Sequence, residues 1–257
     1  MKLKRFTGVK ILLKKISILL MFIAVIAVLI LGLSSCITIR INSVKGSGNV
    51  TVKEFEVSDF NQLVFSGIGK IYIEQGETEK LEIEAEDNII DTIRIDVSGN
   101  KLKIGLKTGF INIVPTKDIK FHLKVRDLND IEISGMGSID CDRLETERLE
   151  IKSSGIGSIE MNLIADDVEI LISGAGKVNI SGEVDTQQIT ITGVGSYSAK
   201  DLISNDCEID ISGAGNAVVN AVERLDISMS GLGRVEYVGN PTVKQNISGG
   251  GVIKSID

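Results

Sequence analysis

The feature that most constrains the fold is a four-residue block, Ser or Thr followed by Gly, a variable residue and Gly, which recurs eight times. The blocks occupy residues 66–69, 134–137, 154–157, 173–176, 192–195, 212–215, 230–233 and 248–251. From the second block onward, successive first glycines are separated by 20, 19, 19, 20, 18 and 18 residues. A period of this length indicates a repeat architecture in which each unit packs on its neighbours.

Residues on either side of each block alternate between apolar and charged side chains. Numbering from the first glycine of a block, positions −4 and −2 are mostly Ile, with Glu, Asp or Lys at the neighbouring positions. This period of two predicts half-buried strands. Apolar residues also occupy positions +1, +4, +6 and about +9, and we expect all of them to face inward. The +1 set is Met136, Ile156, Ala175, Val194, Ala214 and Leu232, and the +9 set is Leu144, Ile164, Leu202 and Val222.

Several steps between these inward positions are three residues long, and each such step predicts a corner between strands. The sequence therefore predicts an all-β fold, a parallel β-helix or solenoid with coils of about 19 residues. Seven coils spaced about 4.8 Å apart make a column on the order of 34 Å tall. Glycine suits the first corner because it adopts positive φ and lets neighbouring coils approach closely. The predicted corner glycines are Gly67, Gly69, Gly135, Gly137, Gly155, Gly157, Gly174, Gly176, Gly193, Gly195, Gly213, Gly215, Gly231 and Gly233.

The blocks do not have the surroundings of a ligand loop. A phosphate-binding loop opens a helix, whereas the residues after Gly176 continue a strand pattern. A calcium-binding nonapeptide repeat needs Asp two residues after its last block glycine. Here that position holds Ile, Val, Tyr or Ala. We therefore assign the blocks to structure and assign no catalytic, cofactor-binding or metal-ligating residue.

The region before the regular coils, residues 53–129, is less periodic. Its strand-like segments are joined at one point by Ser98-Gly99-Asn100-Lys101, which predicts a tight hairpin turn. A hairpin is antiparallel, so we expect this region to flank or cap the solenoid of residues 130–257. At the opposite end, Gln245, Asn246 and Ser255 make the last coil polar, as suits a coil that meets water.

The N-terminus has the organisation of a bacterial lipoprotein signal. Residues 1–35 combine a basic stretch through Lys15 with an apolar run from Ile16 to Leu33, and Leu33-Ser34-Ser35 precede Cys36. We expect lipidation of Cys36 after cleavage, with residues 36–52 forming a tether. The alternative is an uncleaved membrane anchor, because the apolar run is long enough to span a bilayer. Because Ile37 follows the Cys, we expect an outer-membrane location where the cell has an outer membrane.

The charge of the remaining chain argues against nucleic acid as a partner. The formal net charge is −7, but six of the 28 basic residues lie in the first 35 positions. Removing them leaves 22 basic and 35 acidic residues, a formal charge of −13. A body this acidic repels nucleic acid, and no basic stripe offsets the repulsion.

Three sets of residues have side chains of the kinds that serve in catalysis or metal binding. His122 is the only histidine, and we interpret it as a strand residue on the polar face. Cys141 and Cys207 are predicted to face the core four coils apart, roughly 19 Å along the axis, as free thiols. An acidic stripe could hold a divalent cation or line a groove for sugar, or could simply be a solvated face. Its members are Glu132, Glu150, Glu169, Glu208 and Asp226.

The run FNQLVFSGIGKIYIEQG, followed by KLKIGL and the serial blocks ISGMGSI, SSGIGSIE and ISGAGKVNI, resembles the auto-transporter adhesin head GIN domain family. The resemblance covers about residues 53–257. It implies a right-handed solenoid-like fold on secreted or lipid-anchored bacterial proteins, with no cofactor and no functional residues to transfer.

The favoured function is a lipid-anchored, non-enzymatic envelope protein that presents a rigid solenoid surface for adhesion to polysaccharide or to a surface protein. One alternative is a carbohydrate-active β-helix lyase or hydrolase, whose cleft must come from residues 74–130, because the regular coils vary by only two residues in length. A second alternative is self-assembly into homo-oligomers through the solenoid ends.

Overall fold

The computed structural model describes residues 43–107 and 112–256. The predicted signal of residues 1–35, Cys36 and the start of the tether lie outside these ranges. Within them, no helix has the length and apolar character needed to cross a membrane.

The N-terminal region contains nine strands and one short helix. They are β1 (Ser43–Lys45), β2 (Val50–Phe55), β3 (Gln62–Phe65), β4 (Ile68–Gln75), β5 (Lys80–Glu86), α1 (Asp87–Ile90), β6 (Ile93–Ser98), β7 (Lys101–Leu106), β8 (Asn112–Val114) and β9 (Lys120–Val125). Residues 43–52, which the sequence assigned to a tether, thus contain β1 and the start of β2.

The regular coils contain ten further strands. They are β10 (Asp130–Ile133), β11 (Met136–Glu145), β12 (Arg148–Ser153), β13 (Ile156–Ile172), β14 (Lys177–Ile191), β15 (Ser196–Ile211), β16 (Asn216–Met229), β17 (Arg234–Val238), β18 (Thr242–Ile247) and β19 (Val252–Ser255). Each pairs in parallel with the strand one coil away, as in the match of Ile170 with Ile189 and of Ile189 with Ile209. The predicted all-β solenoid is confirmed, with about seven turns.

The parallel stack extends into the N-terminal region before it changes direction. Strands β3 and β4 lie under β10 and β11, and β7 and β9 lie under β3 and β4, all in parallel. Antiparallel strands then follow, with β6 on β7, β5 on β9 and β2 on β5. The hairpin forms as predicted, with Ser98 paired to Lys101 and Gly99 at a φ of 63°.

Ladders of aliphatic side chains fill the core. Positions −4, −2 and +4 are buried through the first six regular coils, as the alternation predicted. A fully buried Ile or Val contributes roughly 1.5–3 kcal/mol, and each residue here also contacts its counterparts in the coils above and below. In the last coil Gln245 and Ile247 are exposed, and no described strand covers its outer edge.

The expectation that position +1 faces inward is wrong. Met136, Ile156, Val194 and Leu232 are between 56% and 72% exposed, and the shorter Ala175 and Ala214 are exposed too. The alternation runs through both glycines without a break, so the inward series is −2, 0, +2, +4 and +6. The +1 side chain consequently projects to solvent at the bend.

Glycine is required in the blocks because successive coils approach each other closely there. A Cβ on Gly155 would overlap the carbonyl oxygen of Gly135 in the preceding coil, and the same relationship recurs at each later first glycine. A Cβ on the second glycine Gly195 would collide with the inward side chain of Ile172. Among the predicted corner glycines only Gly69 has a positive φ, so contact between coils, and not turn geometry, excludes larger residues.

Coil length is adjusted at the next corner. Leu144 and Leu202, at position +9 of the two 20-residue coils, are buried as expected. In the shorter coils Ile164 and Val222 are 39% and 50% exposed, and Leu163 and Ala221 at +8 are buried instead. Leu144 lies opposite Leu163, with a register shift just before it, so the extra residue is absorbed as a local irregularity.

Candidate functional site

The candidate site lies on the outer surface of four adjacent strands near the N-terminal end. In β4 and β9, buried residues such as Ile71, Ile73, Phe121 and Leu123 alternate with polar ones. The outward residues are Lys70, Tyr72 and Glu74 on β4, Lys120, His122 and Lys124 on β9, Lys80, Glu82 and Glu84 on β5, and Ser138, Asp140 and Asp142 on β11. We call this surface the Tyr72/His122 face.

Strand register places two rings at the centre of the face. Tyr72 lies opposite His122, while Glu82 pairs with His122 on one side and Asp140 pairs with Tyr72 on the other. The central row therefore reads carboxylate, imidazole, phenol, carboxylate across four strands. The two rings stack with centroids 5.3 Å apart and planes 10° apart, a cross-strand pair of the kind that stabilises sheets.

Ion pairs surround the rings. Lys70 Nζ lies 4.6 Å from the centroid of the Tyr72 ring and 2.8 Å from Asp140 Oδ2. Lys120 Nζ donates to Glu84 Oε1 at 2.9 Å, and Lys124 Nζ donates to Glu74 Oε1 at 3.1 Å. Pairs this exposed add little to the free energy of unfolding, but together they hold the side chains in one arrangement around the rings.

In two of these pairs, the hydrogen bond shifts the pKa of one member. The hydrogen bond to Asp140 raises the pKa of Lys70, and the hydrogen bond from Lys120 lowers the pKa of Glu84. At neutral pH Lys70 is therefore an ammonium group and Glu84 a carboxylate.

A cleft of about 550 Å³ lies over this surface. Tyr72 and His122 form part of its floor, and Lys80, Lys124 and Arg143 bring positive charge to it. Five acidic side chains and four lysines stand on the face, so it is nearly neutral although the whole chain is acidic.

The acidic stripe predicted from the sequence is rearranged by the register. Glu150, Glu169, Glu208 and Asp226 share one ladder, but Gln188 interrupts it and Glu132 lies on the neighbouring ladder beside Lys152. Basic side chains pair with three of the carboxylates, Lys152 with Glu150, Arg148 with Glu169 and Lys244 with Asp226. Across residues 43–107 and 112–256, no group of three or more His, Cys, Asp or Glu side chains is arranged to hold a metal ion.

Cys141 and Cys207 are buried free thiols. Burial raises the pKa of Cys141 to about 11 and raises that of Cys207 further. At neutral pH both are protonated and behave as small apolar side chains.

A buried polar network was not foreseen from the sequence. Gln187 and Ser204 are fully buried, and Gln187 Nε2 donates to Ser204 Oγ at 2.7 Å. Tyr197 Oη donates to Gln187 Oε1 at 3.1 Å, and Ser204 Oγ donates to the carbonyl oxygen of Asn220 at 2.9 Å. Gln187 occupies position −6. The same position is Leu149, Val168 and Leu225 in other coils, so the sequence pattern indicates that Gln187 faces the core.

The sequence predicts the Tyr72/His122 face only in part. The alternation in KIYIE and KFHLK places Tyr72 and His122 outward, and His122 lies on the polar face as interpreted. Their contact depends on the pairing of β4 with β9, which are separated by four other strands in the chain, and no local sequence pattern reports such a pairing.

The stacked coils and the exposed polar face define a repeat-built β-solenoid protein. A family model described as "Putative auto-transporter adhesin, head GIN domain" matches residues 59–241. The chain belongs to this family, and the resemblance drawn from the serial blocks is confirmed.

Solved structures agree with this assignment. A crystal structure of a "putative adhesin" from Bacteroides fragilis is 28% identical, with a TM-score of 0.79, and the match covers 83% of this chain and all of that one. A "putative lipid binding protein" from Parabacteroides distasonis is 23% identical with a TM-score of 0.67, covering 84% of this chain and 100% of that one. A "putative adhesin" from Parabacteroides merdae is 20% identical with a TM-score of 0.61, covering 84% and 99%. The last two likenesses show the fold alone.

No curated protein matches the sequence. The family description and the Bacteroides fragilis structure support an adhesion-type, non-enzymatic protein.

Proposed function

We propose that this protein is a lipid-anchored envelope adhesin that binds polysaccharide through the Tyr72/His122 face. The observation that carries the proposal is the stack of Tyr72 on His122 at the centre of a four-strand polar surface, with a carboxylate on each side. Among the described residues of the regular coils, 130–256, there is no comparable pair of stacked rings.

The chemistry of the face suits a sugar chain. Each sugar ring offers several hydroxyl groups, which donate to carboxylates and accept from ammonium groups. Glu82 and Asp140 supply acceptors beside the rings, and Lys124 supplies donors along one row. Because ion pairs already order these side chains, binding loses less conformational entropy than on a mobile surface.

The anchor is part of the proposal. Acylation of Cys36 holds the body at the envelope, in the outer membrane of a cell that has one. Described strands begin at Ser43, seven residues after Cys36, so only a short stretch of chain joins the lipid to the body.

Binding by the purified protein to a glycan array tests the function. Tyr72→Ala and His122→Ala each remove one ring from the stack, and we expect about tenfold weaker binding or more, since central aromatic residues commonly dominate an interface. Gln188→Ala is the matched control, because it truncates an outward side chain on the acidic ladder and leaves the face intact. Loss of binding in Gln188→Ala alone would move the site to the acidic ladder.

Other outcomes separate the alternatives. Turnover of the bound glycan would replace the adhesin with a carbohydrate-active enzyme. Capture of a surface protein without glycan binding would change the ligand class. Sedimentation that depends on protein concentration would support homo-oligomers formed through the solenoid ends.

A further inference from the structure

One corner of the solenoid carries a continuous line of exposed apolar side chains. We call it the corner ridge, and it consists of the outward residue of each block. Main-chain hydrogen bonds connect successive corners, as from Val194 N to Gly174 O and from Leu232 N to Gly213 O. With one residue per coil, the ridge is on the order of 34 Å long. Its exposed members are Met136, Ile156, Ala175, Val194, Ala214 and Leu232, and the line runs between Ile68, which is half-buried, and Gly250, which has no side chain.

The ridge is more exposed than apolar residues elsewhere on the molecule. Val194 is 72% exposed, Leu232 66% and Ile156 64%, the three largest values among the exposed large apolar side chains described. Exposure arranged in one line marks an interaction surface more strongly than the same residues scattered singly.

The charge beside the ridge differs from that of the rest of the chain. Position −1 is Ser or Thr in all eight blocks, and no Asp or Glu stands anywhere from −1 to +3. Position +3 adds three cations, Lys70, Lys177 and Arg234. Two of these cations already have carboxylate partners, Lys70 with Asp140 and Arg234 with Glu236. In a chain with 35 acidic residues, a strip that itself contains no acids still suits a surface that is neutral or weakly negative.

The shape of the ridge argues against a second copy as its occupant. A strip about 34 Å long and one side chain wide offers a few hundred Å², less than the roughly 800 Å² that each partner commonly buries in a stable complex. A lipid surface has no such requirement, because headgroups and acyl chains close around inserted apolar side chains.

The ridge also begins where the tether joins the body. Lys45 in β1 pairs with Val114, and the next residue, Pro115, lines the same cleft of about 460 Å³ as Ile68. Six residues, 37–42, separate Cys36 from Ser43 and reach about 20 Å when extended. An acyl chain on Cys36 can therefore enter the bilayer no further than about 20 Å from Ser43.

We infer that the corner ridge is a lipid-docking surface that lays the solenoid along the bilayer holding its anchor. Ile156, Val194 and Leu232 enter the headgroup region, and Lys177 and Arg234 meet lipid phosphates. This inference rests on the lipid anchor of the proposed function and goes beyond its glycan-binding face.

Depth measurement on the full acylated chain tests the inference. Ile156→Cys receives an environment-sensitive fluorophore, while the buried Cys141 and Cys207 stay unlabelled in the folded protein. The protein is reconstituted in phosphatidylcholine vesicles with a minority of phosphatidylglycerol, and floating vesicles are collected. We expect emission shifted to shorter wavelength and at least about twofold quenching by lipids with spin-labelled acyl chains, as for a probe inside the interface. Val222→Cys, apolar and 50% exposed at another corner, is the matched control and should show neither effect.

A second variant separates docking from proximity to the vesicle. Val194→Asp with Leu232→Asp, in the Ile156→Cys background, places charge on two exposed side chains and should leave the melting temperature unchanged. We expect the quenching of the label to fall to the control value, because carboxylates resist entry into the interface.

The outcomes that overturn the inference are distinct. A floating chain whose label remains in water overturns the ridge and leaves the anchor and the glycan site standing. A wavelength shift without lipid quenching, growing with protein concentration, shows that a second copy covers the ridge. A chain that does not float overturns the anchor and the ridge together, while array binding still reports on the Tyr72/His122 face.

Discussion

Tyr197 Oη donates a 3.1 Å hydrogen bond to Gln187 Oε1 in the interior of the solenoid, where both side chains are 1% exposed or less. Burial raises the pKa of Tyr197 well above its usual value, so the phenol is protonated and can donate at neutral pH. The pair sits among aliphatic ladders, where a polar group needs a partner.

Tyr197→Phe should lower the free energy of unfolding by about 1–3 kcal/mol, because Gln187 Oε1 loses its donor while it stays buried. Urea denaturation measures the change. Adding Gln187→Leu should recover part of the loss, since both members of this hydrogen bond are then apolar. Ser204 Oγ loses its bond from Gln187 but keeps its own bond to the carbonyl oxygen of Asn220. A loss in the double variant equal to the sum of the losses in Tyr197→Phe and Gln187→Leu would contradict a coupled pair.

Gly155→Ala should be strongly destabilising, because the new Cβ overlaps the carbonyl oxygen of Gly135 and the coils must move apart. We expect a loss of a few kcal/mol, as for other overpacked sites. Gly76→Ala is the control: no atom lies within 4 Å of the added Cβ, and its unfolding midpoint should be unchanged. Similar midpoints for both variants would show that the coils are not in close contact at the block.

Glu86 gives a test by pH. Its side chain accepts hydrogen bonds from Thr116 Oγ1 at 2.6 Å and from the main-chain N–H groups of Gly48 and Thr116. These bonds, that of the Thr116 hydroxyl foremost, lower the pKa of Glu86 in the folded protein.

A folded-state pKa below the unfolded value adds stability that is present above the unfolded pKa and is lost as pH falls through the folded pKa. Glu86→Gln should therefore lower the melting temperature at pH 7, and its difference from wild type should shrink in acid. Calorimetry across the acidic range measures both. A difference that is constant with pH would mean that the carboxylate is not the stabilising species.

The two buried thiols should resist labelling. With the pKa of Cys141 raised to about 11, almost no thiolate exists at pH 8, and burial blocks access as well. A thiol reagent should modify neither Cys141 nor Cys207 until denaturant is added, whereas Ile156→Cys should react at once. Rapid modification of Cys141 or Cys207 in the folded wild type, located by peptide mapping, would show that the +6 or −6 position does not face the core.

The regular coils could be predicted from the sequence because every repeat needs aliphatic residues at the same inward positions. Ile189 and Ile209 occupy the same position in successive coils, so period and alternation report the same strand. Ile156 points outward, contrary to the prediction, because the three-residue spacing between apolar residues contains an inward glycine and not a corner. A glycine has no side chain to reveal its direction in the sequence.

The candidate face depended on contacts between distant segments. Tyr72 and His122 are separated by an antiparallel excursion through β5, β6 and β7, and their register follows from how that excursion folds back. Gln187 similarly shows its role only beside Tyr197 and Ser204. Alternation predicts which way such residues point, but not which residues they meet.

The contact of Gly155 with Gly135 has a counterpart one coil further, where Gly174 meets Gly155. At the blocks, each winding is thus fitted to its two immediate neighbours. Duplication or loss of one such unit in the gene would change the reach of the molecule by a single step of about 4.8 Å. The length of the solenoid can therefore evolve independently of whatever its N-terminal region recognises.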